Sequence, residues 1–212
     1  MTERGPWLPP LALLVGVLAV LAYSAIDPVA DRLTWCLETF PVMIAAPLLA
    51  LTYRRFPLTP ITYHLIAVFA LILIWGGHYT YAENPLFEWL QNEFHLARNY
   101  YDRLGHIMQG VVPAMVAREV LVRTSPVKGG GWLFLFVSSL CLAISASYEF
   151  FEWWVAVIEG SEATAFLATQ GDVWDTQWDM FLALCGAVAA QLLFGRLQDR
   201  QLAALVSGRS PG

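Results

Sequence analysis

Six stretches of this chain are apolar for long enough to cross a lipid bilayer, and that leaves it few other folds. They cover residues 7–26, 35–53, 61–82, 99–122, 132–157 and 174–197. A spanning helix needs about 20 largely apolar residues, each adding about 1.5 Å along the axis. Composition agrees, because 58% of the 212 residues are hydrophobic and only 14% are charged. An average soluble domain carries roughly a quarter charged residues. The connections are short, with no internal repeat or long linker. The expected fold is all-α: a polytopic transmembrane bundle of about six spanning helices, with residues 1–212 forming one integral-membrane domain.

Orientation follows from Lys and Arg in the short loops, which favour the cytoplasmic side. Arg54 and Arg55 lie between the second and third stretches, Arg118, Arg123 and Lys128 surround the fourth-to-fifth connection, and Arg196, Arg200 and Arg209 follow the last. With Arg4, these place both termini in the cytoplasm and leave Arg32, Arg98 and Arg103 outside. Of the acidic residues, Glu3, Glu119 and Asp199 fall inside and all others outside. The first stretch, with Arg4 before it and small residues near Ser24, also has the layout of a cleavable signal. Its removal leaves five helices in the same orientation. Cys36, Cys141 and Cys185 are scattered through apolar segments without metal-ligand spacing, which argues against a disulfide framework or zinc knuckle.

The outer acidic residues are not merely at the water surface. Glu149 lies about 26 Å along its helix from Trp132, just inside the outer boundary of a roughly 30 Å hydrocarbon core. Asp179, counted back from Arg196, and His78, counted from Ile61, reach a similar depth. His106 lies about 18 Å from Arg118 and is deeper still. Helical phase groups these residues. Arg98, Asn99, Asp102 and His106 step by three or four along one face, Glu149 and Glu152 are three apart, and so, by three and four, are Asp172, Asp175 and Asp179. Ionisable groups within a membrane generally face the bundle interior or a wet cavity, and mark function.

Carboxylates one turn apart repel in a low-dielectric setting unless a cation, a proton or an arginine neutralises them. Carboxylate and imidazole ligands from several helices suit a divalent cation, Mn²⁺, Zn²⁺, Fe²⁺ or Mg²⁺. The metal reading takes Asp102, His106, Glu149, Glu152, Asp175 and Asp179 as ligands, with His78, Arg98, Asn99 and Asp172 around them. Two readings stand beside it: Arg98 and Arg103 neutralise the acids in a structural network without metal, or the layer is a solvated rim. Asp172 also suits a helix N-cap, and His78 an interfacial position. Glu83, Glu88, Glu93, His95, Glu159 and Glu162 read as loop residues, and His64 as unconnected to the layer.

Aromatics are biased to the same side. Trp35, Trp75, Trp89, Trp153, Trp154, Trp174 and Trp178, with Tyr79, Tyr81, Tyr100 and Tyr101, lie near the outer boundary, against Trp7 and Trp132 at the inner one. An interfacial belt explains such residues by default, and an outer pocket is the alternative for part of them. Pro41, Pro47 and Pro113 fall inside spans, where they kink helices and open space.

Four motifs carry a resemblance: His78-Tyr-Thr-Tyr-Ala-Glu83, Arg98-Asn-Tyr-Tyr-Asp-Arg-Leu-Gly-His106, Ser147-Tyr-Glu-Phe-Phe-Glu-Trp153 and Gly171-Asp-Val-Trp-Asp-Thr-Gln-Trp-Asp179. In these the chain resembles the YjdF-like bacterial inner-membrane protein family, from about the second span to Asp199-Arg200-Gln201. The resemblance implies a polytopic inner-membrane protein and brings no activity with it. The spacing of Asp172, Asp175 and Asp179 is also similar to the second half of the CDP-alcohol phosphotransferase motif. The first half, Asp-Gly followed by Ala-Arg, is lacking and the aspartates face outward, so no function is taken from it.

Three classes of function fit. One is a metal-dependent enzyme acting on a lipid or envelope component, in which the metal polarises a phosphoryl or carbonyl group or activates water, and His106 or Glu152 moves the proton. A second is a transporter or proton-coupled protein, against which the inner halves of the later spans are nearly bare of ionisable groups. The third is a structural or assembly factor. No nucleotide fingerprint is present; membrane lipid is the expected partner, nucleic acid is not, and no protein partner can be named.

Overall fold

The computed structural model describes residues 8–160 and 167–207, and among these it is entirely helical, with no strand. Seven helices follow in order: α1 (Pro10–Ser24), α2 (Arg32–Thr52), α3 (Pro60–Tyr79), α4 (Pro85–Phe94), α5 (Tyr101–Thr124), α6 (Gly131–Glu159) and α7 (Asp175–Val206). Four of them, α2, α3, α6 and α7, are long and apolar enough to cross a membrane. Two of the six expected spans differ in character. The first is α1, of only 15 residues. The fourth is α5, which is long but carries Asp102, Arg103, Arg118, Glu119 and Arg123. Of the residues used for orientation and belt, Glu3, Arg4, Trp7, Glu162 and Arg209 lie outside the described residues.

Local chemistry sets the helix ends. Proline opens α1, α3 and α4 at their first positions, where a missing N–H costs nothing. Asp31 caps α2 by accepting from the N–H groups of Leu33 and Thr34 at 2.9 and 3.0 Å. Thr80 adopts φ 69° and stops α3 before residue 82. Between α3 and α5 the expected loop instead contains α4, so Glu88 and Glu93 sit on an amphipathic helix. Leu86, Trp89 and Phe94 of α4 are exposed, and it buries no residue.

The centre of the bundle is the α5–α7 contact. A Cβ on Gly110 would collide with the Ala183 carbonyl, and one on Gly186 with the Ile107 carbonyl. Ala183, Ala187 and Ala190 continue this small-residue surface, all fully buried. Lipid tails provide no hydrophobic drive between helices, so close backbone approach over small residues is what packs them. α6 joins through Val137 and Cys141, and α3 through Ala67, Ala70 and Ile74, which pack with Val42 of α2. The three cysteines are unpaired.

One end of the bundle is acidic and the other basic. The basic end is locked by Glu119, which is fully buried. Its carboxylate accepts from the Thr59 N–H and hydroxyl, the Thr62 hydroxyl and the Gln198 amide. Arg118 donates to Gln198 at 3.0 Å and pairs with Asp199 at 2.7 Å. These bonds fix α3, α5 and α7 at one end and so set their register at the other.

A candidate metal and acid–base site at the acidic end

Three helices and the stretch before the last of them converge there. α5 supplies Asp102 and His106 from its first two turns, and α7 supplies Asp175 and Asp179 from its own. Both helices thus point their N-terminal partial positive charge at the acids. α6 brings Glu149 and Glu152 on its last turns, and the stretch before α7 brings Asp172.

His106, buried with Asp102 and Asp179, is the hinge of the cluster. Its Nδ1 lies 2.9 Å from the Gln109 side-chain oxygen, which holds the other ring nitrogen toward the acids. That Nε2 lies 3.3 Å from Asp102 Oδ1 and 3.6 Å from Asp179 Oδ1. One ligand atom from each of Asp102, His106 and Asp179 falls within 4.8 Å of the others. Ligands of one cation at 2.0–2.2 Å lie at separations of this order.

The guanidinium groups take the rest. Arg98 donates to Asp175 Oδ1 at 2.7 Å and to the Ala168 carbonyl at 2.9 Å. Arg103 donates to Asp175 Oδ1 at 2.7 Å, to Asp172 Oδ2 at 3.1 Å, and to Asp179. Asp175 pairs with both arginines and lies outside the Asp102–His106–Asp179 group, whose Asp179 shares Arg103 with it. Asp172 does two things: its Oδ1 accepts from the Trp174 N–H at 2.9 Å, turning the chain into α7, and its Oδ2 binds Arg103.

Two of the residues read as surrounding the cluster bond elsewhere. Asn99 accepts from the Tyr101 N–H and donates to the Asn84 carbonyl, while its backbone exchanges bonds with Gln170. It fastens the start of α5 to the neighbouring loops and does not touch the carboxylates. His78 bonds the Ser24 carbonyl at 3.0 Å and sets its ring edge-on against Tyr79, which ties α3 to the end of α1. Helical phase places both on the right faces, but loop geometry gives them other partners.

Glu149 is 7% exposed, with one carboxylate oxygen that accepts no hydrogen bond among the described residues. Glu152, half-buried, interacts electrostatically with Glu149, His106 and Asp102. The sequence reading missed Glu38 of α2. It is 1% exposed, and neither of its oxygens accepts a hydrogen bond of normal geometry among the described residues. Asp102, His106 and the Tyr81 phenol lie within its electrostatic reach. The signal is a lone acid at the fourth position of the apolar stretch 35–53, which is costly without a reason.

Aromatic residues divide between belt and site. Trp75, Trp89, Trp153, Trp154, Trp174 and Trp178 are exposed. Tyr81 and Tyr101 are buried and stacked at 5.4 Å, and Tyr148 stands edge-on to His106 at 6.4 Å. Gly76 is what admits the Tyr81 ring, since a Cβ there would overlap it.

An all-helical chain with several membrane-spanning helices and a buried acid–imidazole cluster at one end is an integral membrane protein. Its sequence matches, over residues 9–200, the family described as "Predicted membrane protein (DUF2238)", and the chain belongs to that family. It is 50% identical over 183 residues to the inner membrane protein YjdF of Escherichia coli (strain K12), covering 86% of this chain and 87% of that one. The inner membrane is accordingly its location, and the YjdF-like resemblance holds. No solved structure matches the chain.

Proposed function

We propose that this chain is a six-span protein with both termini in the cytoplasm, whose periplasm-facing cluster holds a divalent metal for an enzyme acting on a membrane lipid or another envelope component. The observation that carries the reading is the triad Asp102, His106 and Asp179 with two further buried carboxylates, Glu38 and Glu149, left without full hydrogen bonding beside it. Arg98 and Arg103 are two positive charges against seven nearby carboxylates, those of Glu38, Asp102, Glu149, Glu152, Asp172, Asp175 and Asp179. A buried excess of that size calls for a cation or for shared protons. Mn²⁺, Zn²⁺, Fe²⁺ and Mg²⁺ all suit a mixed carboxylate and imidazole set, and such a metal would polarise a phosphoryl or carbonyl oxygen or activate water. Asp102, His106 and Asp179 would hold it, Glu149 and Glu152 would complete the shell, and Glu152 or a released His106 would move the proton. Asp175 and Asp172, through Arg98 and Arg103, would fix the position of Asp179.

The four-aspartate, two-arginine network favours a second reading, in which the cluster only locks α5 to α7, as in a scaffold or a proton-coupled transporter. Metal analysis by mass spectrometry of protein purified in detergent separates them. The metal reading expects one or more equivalents in the wild type, lost in Glu149→Ala and Asp179→Ala. A folded, metal-free wild type that takes up none of the four ions on addition supports the network alone.

A further inference from the structure

A second feature lies at the opposite end of the bundle and is independent of any metal. α1 and α2 each pack along α3 but hardly touch one another. They are tied at the acidic end, where the Trp35 indole N–H donates to the Ser24 hydroxyl and the Ala30 N–H to the His78 carbonyl. Toward the basic end they part, leaving a cleft of about 720 Å³ floored by α3 and α5. Its walls are apolar almost throughout: Leu13 and Val17 of α1, Ala46 and Leu49 of α2, Ala67 and Ala70 of α3. Pro41 and Pro113 line it too, and Pro47 does not.

Arg54 stands at the mouth. It is exposed, just past the end of α2, and its guanidinium makes no ion pair among the described residues. From Pro41 to Arg54 the wall runs about 20 Å along the helix axis, a little more than one leaflet of a roughly 30 Å hydrocarbon core. The volume lies in the roughly 300–1,000 Å³ range of small-molecule sites. The dimensions are those of one extended acyl chain, and the charge at the mouth suits a phosphate.

We propose that the α1–α2 cleft binds one acyl chain of an anionic phospholipid from the leaflet at the basic end, with its phosphate on Arg54. The chain fills the space between two helices that do not pack on each other, and so completes the bundle. Basic side chains at an anionic membrane surface contribute about 1 kcal/mol each, or about fivefold in binding.

The test is photolabelling in detergent micelles with phosphatidylglycerol that carries a diazirine on its acyl chain, with diazirine-labelled diacylglycerol for comparison. Labelled peptides are expected to cluster on α1, α2 and α3 residues of the cleft. Arg54→Gln should reduce phosphatidylglycerol labelling about fivefold and leave diacylglycerol labelling unchanged. Ala46→Phe, which fills the cleft, should suppress both; if it does not fold, the Arg54→Gln comparison decides. Labelling as dense on the exposed Leu192–Leu193 face of α7 as in the cleft would overturn the site. Equal labelling by the two lipids, insensitive to Arg54→Gln, would overturn the phosphate contact and with it the proposal.

Discussion

Glu38 concentrates the chemistry of the acidic end in a single side chain. A carboxylate 1% exposed and without a normal hydrogen bond is expensive unless something positive meets it. On the metal reading, Glu38→Gln is expected to weaken metal retention about tenfold, the typical cost of removing a group that supports a metal site. Titration of the apo-protein with Mn²⁺, followed by electron paramagnetic resonance, measures it, and an unchanged affinity would exclude Glu38 from the site. Asp31 shows the opposite regime. Burial works against its ionised form, but bonds from the Thr34 hydroxyl and the Thr34 and Leu33 N–H groups outweigh this and hold its pKa below the usual carboxylate value. A depressed folded pKa means that the cap is fully stabilising above the unfolded value, near 4, and is lost as the pH falls through the lower folded value. Asp31→Ala should therefore cost about 1 kcal/mol at neutral pH and close to nothing in strong acid, read from apparent melting temperatures across that range. Much at this scale was legible. The spacing of Asp102, His106, Glu149, Asp175 and Asp179 on their own helices brought them to one layer, because period and depth are local properties. Glu38 stands out in the sequence only as a lone acid; its place in the site was not legible, since its own helix offers it no ionisable neighbour and its company arrives from α5 and the turn after α3. The hydrogen bonds of Asn99 and His78 were not legible for the converse reason, since they go to backbone groups of distant segments, the Asn84 and Ser24 carbonyls.

Among the elements, α5 and α7 decide whether the site exists. Gly110→Leu or Gly186→Leu pushes a side chain into a facing backbone carbonyl, where no rotamer relieves the contact. Each should destabilise by about 3 kcal/mol or more, at the upper end of overpacking costs. Gly195→Ala is the control, because the nearest atoms to a Cβ there belong to the flexible Arg118 side chain, at 3.7 Å. It should leave the apparent melting temperature unchanged or raise it, as alanine favours a helix over glycine. Equal effects at Gly186 and Gly195 would contradict the close α5–α7 packing. Glu119 tests the other end of the same helices. Glu119→Ala leaves the Thr59 N–H and hydroxyl, the Thr62 hydroxyl and the Gln198 amide without their shared acceptor, and about 3 kcal/mol or more should be lost. Apolar length announced α2, α3, α6 and α7, but not α4, whose ten residues mix polar and apolar without a long run. Nor did it reveal that Glu119, counted only as an acid on the inner side, is a buried clasp between three helices.

For the whole molecule, the segregation of charge implies an orientation. With both termini in the cytoplasm, as proposed, Lys128 between α5 and α6 would face inward and Glu88 on α4 would face outward. In a variant free of native cysteines, Glu88→Cys should react with a membrane-impermeant maleimide in intact spheroplasts, and Lys128→Cys only after lysis. The reverse pattern would invert the bundle and move the acidic site to the cytoplasm. The overall bundle was readable because hydrocarbon allows few structures to span it. The α1–α2 cleft was not, because a gap between helices depends on which pairs fail to pack, and no single segment records that.

Whether acids and an imidazole from separate helices share one cation at the acidic end is decided by X-ray absorption on the metal-loaded protein. An oxygen- and nitrogen-rich shell near 2.0–2.2 Å with the outer scattering of one imidazole is the expected spectrum. His106→Gln should remove the imidazole signature and leave the fold intact. A well-folded wild type that binds no metal, or a shell without imidazole that His106→Gln leaves unaltered, would contradict the account.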